Sequence, residues 1–292
     1  MNPRTVDALG GVDPAYVEDL VRRAVAEDLA GGVDVTSTAT VPVDLRGVAA
    51  FVPRQAGVVA GLGVALAVLD HVLGDDLDVR LVGSDGQAAV PGEAVLEIEG
   101  PVRLLLTAER TALNLLCHLS GVATLTRAWV DAVDGTGARI RDTRKTTPGL
   151  RALEKAAVRA GGGVNHRMSL SDAALVKDNH VVAAGGVRAA FEAVRREFPG
   201  VPVEVECDTP TQVREVLGAG ADLVLLDNMS LDELRECVEL CRERGVLTEA
   251  SGGLSLDVAR AVAETGVDFL AVGALTHSAP VLDLGVDLRT EF

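Results

Sequence analysis

From residue 138 onward the chain repeats one unit, a short apolar strand followed by a helix. The strands read as "ARIRDTR", "AALVKD", "VPVEVEC", "DLVLLDN", "VLTEAS" and "DFLAVGA", and helical segments such as "TPTQVREVLGAG" and "SLDVARAVAETG" separate most of them. Two of the units share wording: "GADLVLLDN" and "GVDFLAVGA" each follow a helix and open with Gly-x-Asp. Strands that are apolar almost throughout are those covered on both faces by helices, which is the pattern of a parallel sheet. A barrel and a doubly wound sheet both satisfy it. No G-x-G-x-x-G follows a strand, so the dinucleotide-binding version of the second has no support. The expectation is an α/β fold built on an incomplete, TIM-like α/β barrel with fewer than eight strands. In such a barrel the chemistry gathers where the strands end.

Upstream the pattern differs. "DPAYVEDLVRRAVAEDLAGG" predicts a helix with Asp13 as N-cap, Pro14 in the first turn and Gly31 as terminator, its apolar stripe running from Val17 to Leu29. Residues 47–100 show short apolar runs broken by glycine, which predicts a small sheet with one helix, "GVALAVLDHVL". "TAERTALNLLCHLSGVATLTRAWVDAV" is helical and is expected to split near Gly121. The pattern predicts a small N-terminal unit of sheet and helix ahead of the barrel.

Charge narrows the partners. The chain carries a formal net charge of −16, so the phosphate backbone of a nucleic acid would be repelled over most of the surface. No apolar run approaches the roughly 18 residues of a membrane span, and "MNPRTVDALGGVDPAY" lacks a signal-peptide apolar region, which predicts a cytoplasmic protein with no membrane partner. Cys117, Cys207, Cys237 and Cys241 offer no third or fourth ligand at metal spacing and are read as reduced packing residues.

Against that acidity stands "TRKTTPGLR", three cations in nine residues, within a stretch that holds all three lysines of the chain: Lys145, Lys155 and Lys177. Arg144, Lys145 and Lys177 close predicted strands, and His166 with Arg167 follows "AGGGVN". Such an array suits carboxylates and phosphates, with Arg as bidentate fork and Lys as point charge. Arg151, Lys155 and Arg159 recur every four residues on a helix begun by Thr147 and Pro148, and read instead as a solvated face. In "VPVEVECDT", Glu204, Glu206 and Asp208 share one face of a strand, with Asp227 in the same position on the next. This is either an ion-pair network or a ligand site; Glu206 with Asp227 suits ribose hydroxyls or a magnesium ion. "EASGGLS" and "AVGALTH" place Ser251, Gly252, Gly253, Val272, Gly273 and Ala274 at late strand ends, where backbone N–H groups bind phosphate or simply cap a helix. Arg110, Asn114 and His118 form a polar ribbon that faces either solvent or a site. His71, His180 and His277 carry no readable spacing.

These motifs resemble a known family. "TRKTTPGLRALEKAAVRAGGGVNHRMSLSDAALVKDNH", with "EVECDT", "LVLLDNMS", "EASGGL" and "FLAVGALTHSAP", is similar to the quinolinate phosphoribosyltransferases, and "EDLAGGVDVTS" and "TAERTALNLLCHLSGVAT" resemble their amino-terminal portion. The resemblance implies transfer of phosphoribose from phosphoribosyl diphosphate to quinolinate, giving nicotinate mononucleotide, diphosphate and CO2 with Mg2+ in NAD synthesis. It implies an N-terminal α/β sandwich domain over 1–115, the incomplete barrel over 116–275, and a segment over 276–292 that returns to the N-terminal domain. It also implies a homodimer with shared active sites, with a higher assembly of dimers left open. Quinolinate then falls to Thr143, Arg144, Lys145, His166, Arg167 and an arginine from the neighbouring subunit, Arg110. Lys145, Lys177, Glu206 and Asp227 become the catalytic set, and Glu206 and Asp227 the metal carboxylates. Two rivals are a paralogue associated with molybdenum transport and a phosphosugar aldolase with Lys177 as Schiff-base nucleophile.

Overall fold

The computed structural model describes residues 1–290, which divide into two compact units. One comprises Ala128–Thr147 and Gly163–His277. It holds six parallel strands: Arg139–Arg141, Ala174–Val176, Val203–Cys207, Leu223–Asp227, Leu247–Ser251 and Phe269–Ala271. Each lies inside the segment expected for it. Their order across the sheet is first, sixth, fifth, fourth, third, second. Read around a ring this is chain order, interrupted only between the first strand and the second, so the sheet is an α/β barrel left open at that seam. Val164 bridges in parallel to Arg141 on the first strand's free side, donating from its N–H to Ile140 O at 2.8 Å.

Alternation along these strands sorts side chains between the helices and the interior. Ile140, Val205, Cys207, Val224, Leu226, Ala250 and Leu270 are buried against the helical layer. Their neighbours in sequence, Arg141, Glu204, Glu206, Asp227, Glu249 and Ser251, therefore point inward. The acidic face predicted for "VPVEVECDT" is an interior face.

The other unit comprises Met1–Arg127, Pro148–Gly162 and the segment from Ser278. Its antiparallel sheet runs in the order Leu284–Thr290, Arg46–Pro53, Leu96–Pro101, Asp78–Val82. The Leu62–Leu73 helix is apolar nearly all round and correspondingly buried. Asp13 caps the Pro14–Leu29 helix through Ala15 N–H at 3.0 Å, and the stop comes one residue before Gly31, at Ala30 with φ 46°. Residues 284–290 pair with 46–53, from Gly47 opposite Thr290 to Pro53 opposite Leu284. Of the segment expected to return here, 291 and 292 lie outside the described residues.

Three expectations need correction. The helix expected to split at Gly121 is continuous over Val102–Ala132, so a domain boundary at 115/116 falls inside it. Gly121 is there for proximity: a Cβ at this position would stand 2.1 Å from Pro280 O. The helix expected to begin at Thr147–Pro148 begins at Arg151, because Gly149 takes φ +85° and interrupts the helical path. Its basic residues are not one solvated face either, since Lys155 is fully buried, as is Glu154 beside it.

The close approach at Gly121 is testable. Gly121→Ala should destabilise the protein by roughly 1–3 kcal/mol, because backbone rather than a movable side chain must yield. An unchanged urea midpoint would contradict that reading.

Candidate active site

Thr143, Arg144 and Lys145 follow the first strand, His166 and Arg167 follow the Val164 bridge, Lys177 follows the second strand and Ser251 ends the fifth. All line one cavity of about 280 Å³, whose walls add Leu175, Leu225 and Ala271. Glu249, two residues before Ser251 on the same strand face, lies at its floor. Four cationic side chains thus face one small space. Arg144 Nε is buried with no hydrogen-bond partner in the protein. Arg167 donates from a terminal nitrogen to Ala173 O at 2.8 Å, and burial together with the nearby Arg144 charge holds its guanidinium below the usual value. Two guanidiniums in mutual repulsion, one with an orphaned donor, are relieved by an anion.

Beneath them lies a buried ionic network. Arg141 donates to Glu249 Oε2 at 2.7 Å, and His166 Nε2 lies 2.8 Å from Glu204 Oε2 and 3.6 Å from Glu249 Oε1. Arg141 and Arg139 also sit over the Phe269 ring, 4.8 and 4.6 Å from its centre. Fully buried Asp142 anchors the His166 loop, accepting from His166 N–H at 2.8 Å and Asn165 Nδ2 at 2.5 Å. The Arg167 backbone N–H donates to His166 Nδ1 at 2.6 Å, so that nitrogen carries no proton and Nε2 must. Burial pushes both carboxyls up to about 7; Arg141, Arg167 and Lys177 oppose the rise at Glu204, whereas the Glu204 charge adds to it at Glu249.

His166, Glu204 and Glu249 bring ligand-type atoms within 4.8 Å of one another. A protonated Nε2 has no lone pair to offer, and Arg141 already occupies Glu249. The cluster is an ion-pair and hydrogen-bond network rather than a metal centre.

Around the rim, Lys177 Nζ lies 3.1 Å from Glu206 Oε2. This is an ion-paired, half-exposed ammonium, not the desolvated amine a Schiff-base lysine requires. Asn228 adopts φ 53°, donates from Nδ2 to Asp227 Oδ2 at 2.6 Å and from its backbone to Ser251 O at 3.0 Å. Gly252, at φ +87°, makes room for it: a Cβ there would meet Asn228 Oδ1 at 2.4 Å. Val272 N–H extends the ladder to Arg141 O at 2.9 Å, and Thr276 Oγ1 donates to Lys145 O at 2.8 Å. Gly273 lies against the Lys145 side chain and Ala274 opens the short Ala274–His277 helix.

Residues 34–120 match the quinolinate phosphoribosyl transferase N-terminal domain and residues 122–287 the C-terminal domain. The chain belongs to the quinolinate phosphoribosyl transferase family. It is 54% identical to the nicotinate-nucleotide pyrophosphorylase (carboxylating) of Mycobacterium leprae, over 92% of this chain and 96% of that protein. A probable enzyme of the same name from Bacillus subtilis is 42% identical, over 82% of this chain and 83% of that one. Among solved structures, NadC from Streptococcus pyogenes superposes with a TM-score of 0.91 at 37% identity, covering 96% of this chain and 99% of that one.

For a quinolinate phosphoribosyl transferase family member the predicted residues sort clearly. Thr143, Arg144, Lys145, His166, Arg167, Lys177 and Ser251 share the cavity lining, and Glu206 joins them through Lys177. Asp227, Gly252, Gly253, Val272, Gly273 and Ala274 lie on neighbouring strand ends, outside the lining. Arg110 and Asn114 are exposed on the Val102–Ala132 helix, while His118 Nε2 lies 2.8 Å from buried Glu154 Oε1. The polar ribbon is therefore not uniform. Arg141, Asp142 and Glu249 join the site without a sequence motif of their own. The period-2 pattern contained a cue, since Arg141 flanks Ile140 and Glu249 divides Thr248 from Ala250, placing charge on the inner face. The cysteines are buried or half-buried and free, and burial pushes the Cys237 and Cys241 thiols to about 11 and about 12, which keeps them inert.

Proposed function

We propose that this chain transfers phosphoribose from phosphoribosyl diphosphate to quinolinate with loss of CO2, giving nicotinate mononucleotide and diphosphate in NAD synthesis. The observation that carries the reading is the convergence of Arg144, Lys145, Arg167 and Lys177 on one cavity the size of a small aromatic acid. Arg144 and Arg167 grip the carboxylates, relieving their own repulsion. Lys145 and Lys177 face the diphosphate. Glu206 and Asp227, on adjacent strands, stabilise the positive charge that grows on the ribose as the glycosidic bond breaks. Leu175, Leu225 and Ala271 shield the ring while the ribosylated, cationic nitrogen draws electrons from the carbon losing CO2. His166 is not a cationic clamp in this scheme, because Nδ1 accepts from Arg167 and Nε2 faces the two glutamates.

Magnesium fits the rim rather than the floor. Glu206 and Asp227 supply two hard carboxylates beside the predicted diphosphate, and Mg2+ prefers few protein oxygens completed by substrate phosphate and water. When bound it neutralises charge on the leaving diphosphate. Among the described residues no helix is long and apolar enough to cross a membrane. A cytoplasmic homodimer with shared sites completes the proposal.

Quinolinate-dependent formation of nicotinate mononucleotide, with nicotinate inactive in its place, tests the reaction. Arg144→Ala and Arg167→Ala should each weaken quinolinate binding by about 2–5 kcal/mol, far more than phosphoribosyl diphosphate binding. Unchanged quinolinate titrations in both variants would remove the assignment.

The trans role of Arg110 has its own test. Homodimers of Arg110→Ala and of Arg167→Ala should be nearly inactive. In a mixed dimer one site collects both defects and the other neither, so co-refolding the two should restore substantial activity. Mass-tagged hybrids that form and stay dead would show that Arg110 does not act across the interface.

A further inference from the structure

We infer that Asn228 is a positioning residue that holds the Asp227 carboxylate in its working orientation at the barrel rim without neutralising it. The inference rests on the role proposed for Asp227 beside the ribose of phosphoribosyl diphosphate. Asn228 follows the last residue of the Leu223–Asp227 strand and adopts φ 53°. Among the described non-glycine residues only Ala30 shares a positive φ. A side chain in the left-handed region is strained, and such strain persists where the surroundings fix it. The neighbouring Leu247–Ser251 strand makes its corresponding exit at Gly252, with φ +87°. Where the backbone alone needs a left-handed turn, glycine meets the need without strain. At 228 the chain carries asparagine instead, and the amide has a task of its own.

Its contacts define that task. Asn228 Nδ2 donates to Asp227 Oδ2 at 2.6 Å. A carboxylate only accepts, so the NH2 side of the amide faces it and Oδ1 lies against Gly252. The Asn228 backbone N–H donates to Ser251 O at 3.0 Å, one residue beyond the Asp227–Ser251 pair that ends the ladder. The residue is thus held by the next strand through its backbone and by the bare Gly252 backbone against its amide. Glu206, on the preceding strand, meets a different kind of partner, the Lys177 ammonium at 3.1 Å. Asp227 makes no salt bridge among the described residues.

That contrast has a chemical consequence. An ammonium fixes a carboxylate and cancels its charge, whereas an amide fixes it and leaves the charge in place. With Oδ2 taken by Asn228, the carboxylate plane is set and Oδ1 is the oxygen left for the ligand. Of the two rim carboxylates, Asp227 is then the one whose charge acts unopposed on the cation growing at the ribose. Orientation set in advance matters, because a carboxylate that must first find its rotamer stabilises the transition state less. Asn228 itself touches neither substrate nor reacting atoms in this scheme. It acts through Asp227.

The test compares the wild-type enzyme with Asn228→Gly, Asp227→Ala and the double variant. Glycine keeps the left-handed backbone and deletes the amide. Asn228→Gly should melt within about 2 °C of wild type and bind quinolinate, titrated alone by calorimetry, within about twofold. Its kcat should fall on the order of tenfold or more. In the Asp227→Ala background the same substitution should change the residual kcat, followed at high enzyme concentration, by less than about twofold, because the group it orients is gone. A merely structural asparagine would lower melting temperature and quinolinate affinity together, or slow both backgrounds alike, and either result overturns the inference. If the glycine variant does not fold, Asn228→Asp decides: it tolerates φ > 0 but cannot donate while ionised, so its kcat should fall at least as far, and wild-type kcat overturns the inference. Full turnover in Asn228→Gly beside a crippled Asp227→Ala also overturns it and leaves the functional reading standing. Wild-type kcat in Asp227→Ala itself overturns the role proposed for Asp227 and the inference with it.

Discussion

Strand parity in the barrel is the constraint on which the rest depends. A parallel strand packed against helices must give one side-chain row to the helical layer, and here that row is apolar: Ile140, Val205, Val224, Ala250 and Leu270. The other row has no choice but to face inward, and this chain places Arg141, Glu204, Glu249, Glu206 and Asp227 there. Charges in such a place persist only if they satisfy one another. Arg141–Glu249 and the close approach of His166 to Glu204 draw the lower set together, while Lys177–Glu206 and Asn228–Asp227 hold the upper set at the rim.

That division of labour explains how an acidic protein presents a cationic cavity. Arg144, Lys145, Arg167 and Lys177 are supplied by segments that follow three different inner elements, and the backbone contacts of Asp142, Val272 and Thr276 hold those segments in register. Glycine at 252 lets the Asn228 side chain close in beside Asp227 and Ser251. Polar groups at the rim are therefore positioned by backbone and by a packed floor, not by the mobile reach of long side chains alone.

Much of this was legible in the sequence. The six strands and the cationic strand ends followed from periodicity, because buried parallel strands leave an unambiguous apolar run. The residues at those strand ends take their proposed roles from the family resemblance. What escaped were features set by tertiary packing. Gly121 reads as a helix breaker, yet it marks where the Pro280 carbonyl presses on a continuous helix. Lys155 repeats at helical spacing with Arg151 and Arg159, yet it is buried, since spacing fixes a helix face without saying what covers it. Arg141 and Glu249 carry no sequence signal of their pairing, because it joins residues 108 apart.

The claim at the centre of this account is that Arg144, Lys145, Arg167 and Lys177 form one anion site at the strand ends of the barrel. Calorimetric titration of quinolinate and of nicotinate into the same protein measures it directly. The account predicts that the dicarboxylate binds far more tightly than the monocarboxylate and that added salt weakens the difference. Equal affinity for the two acids would contradict it.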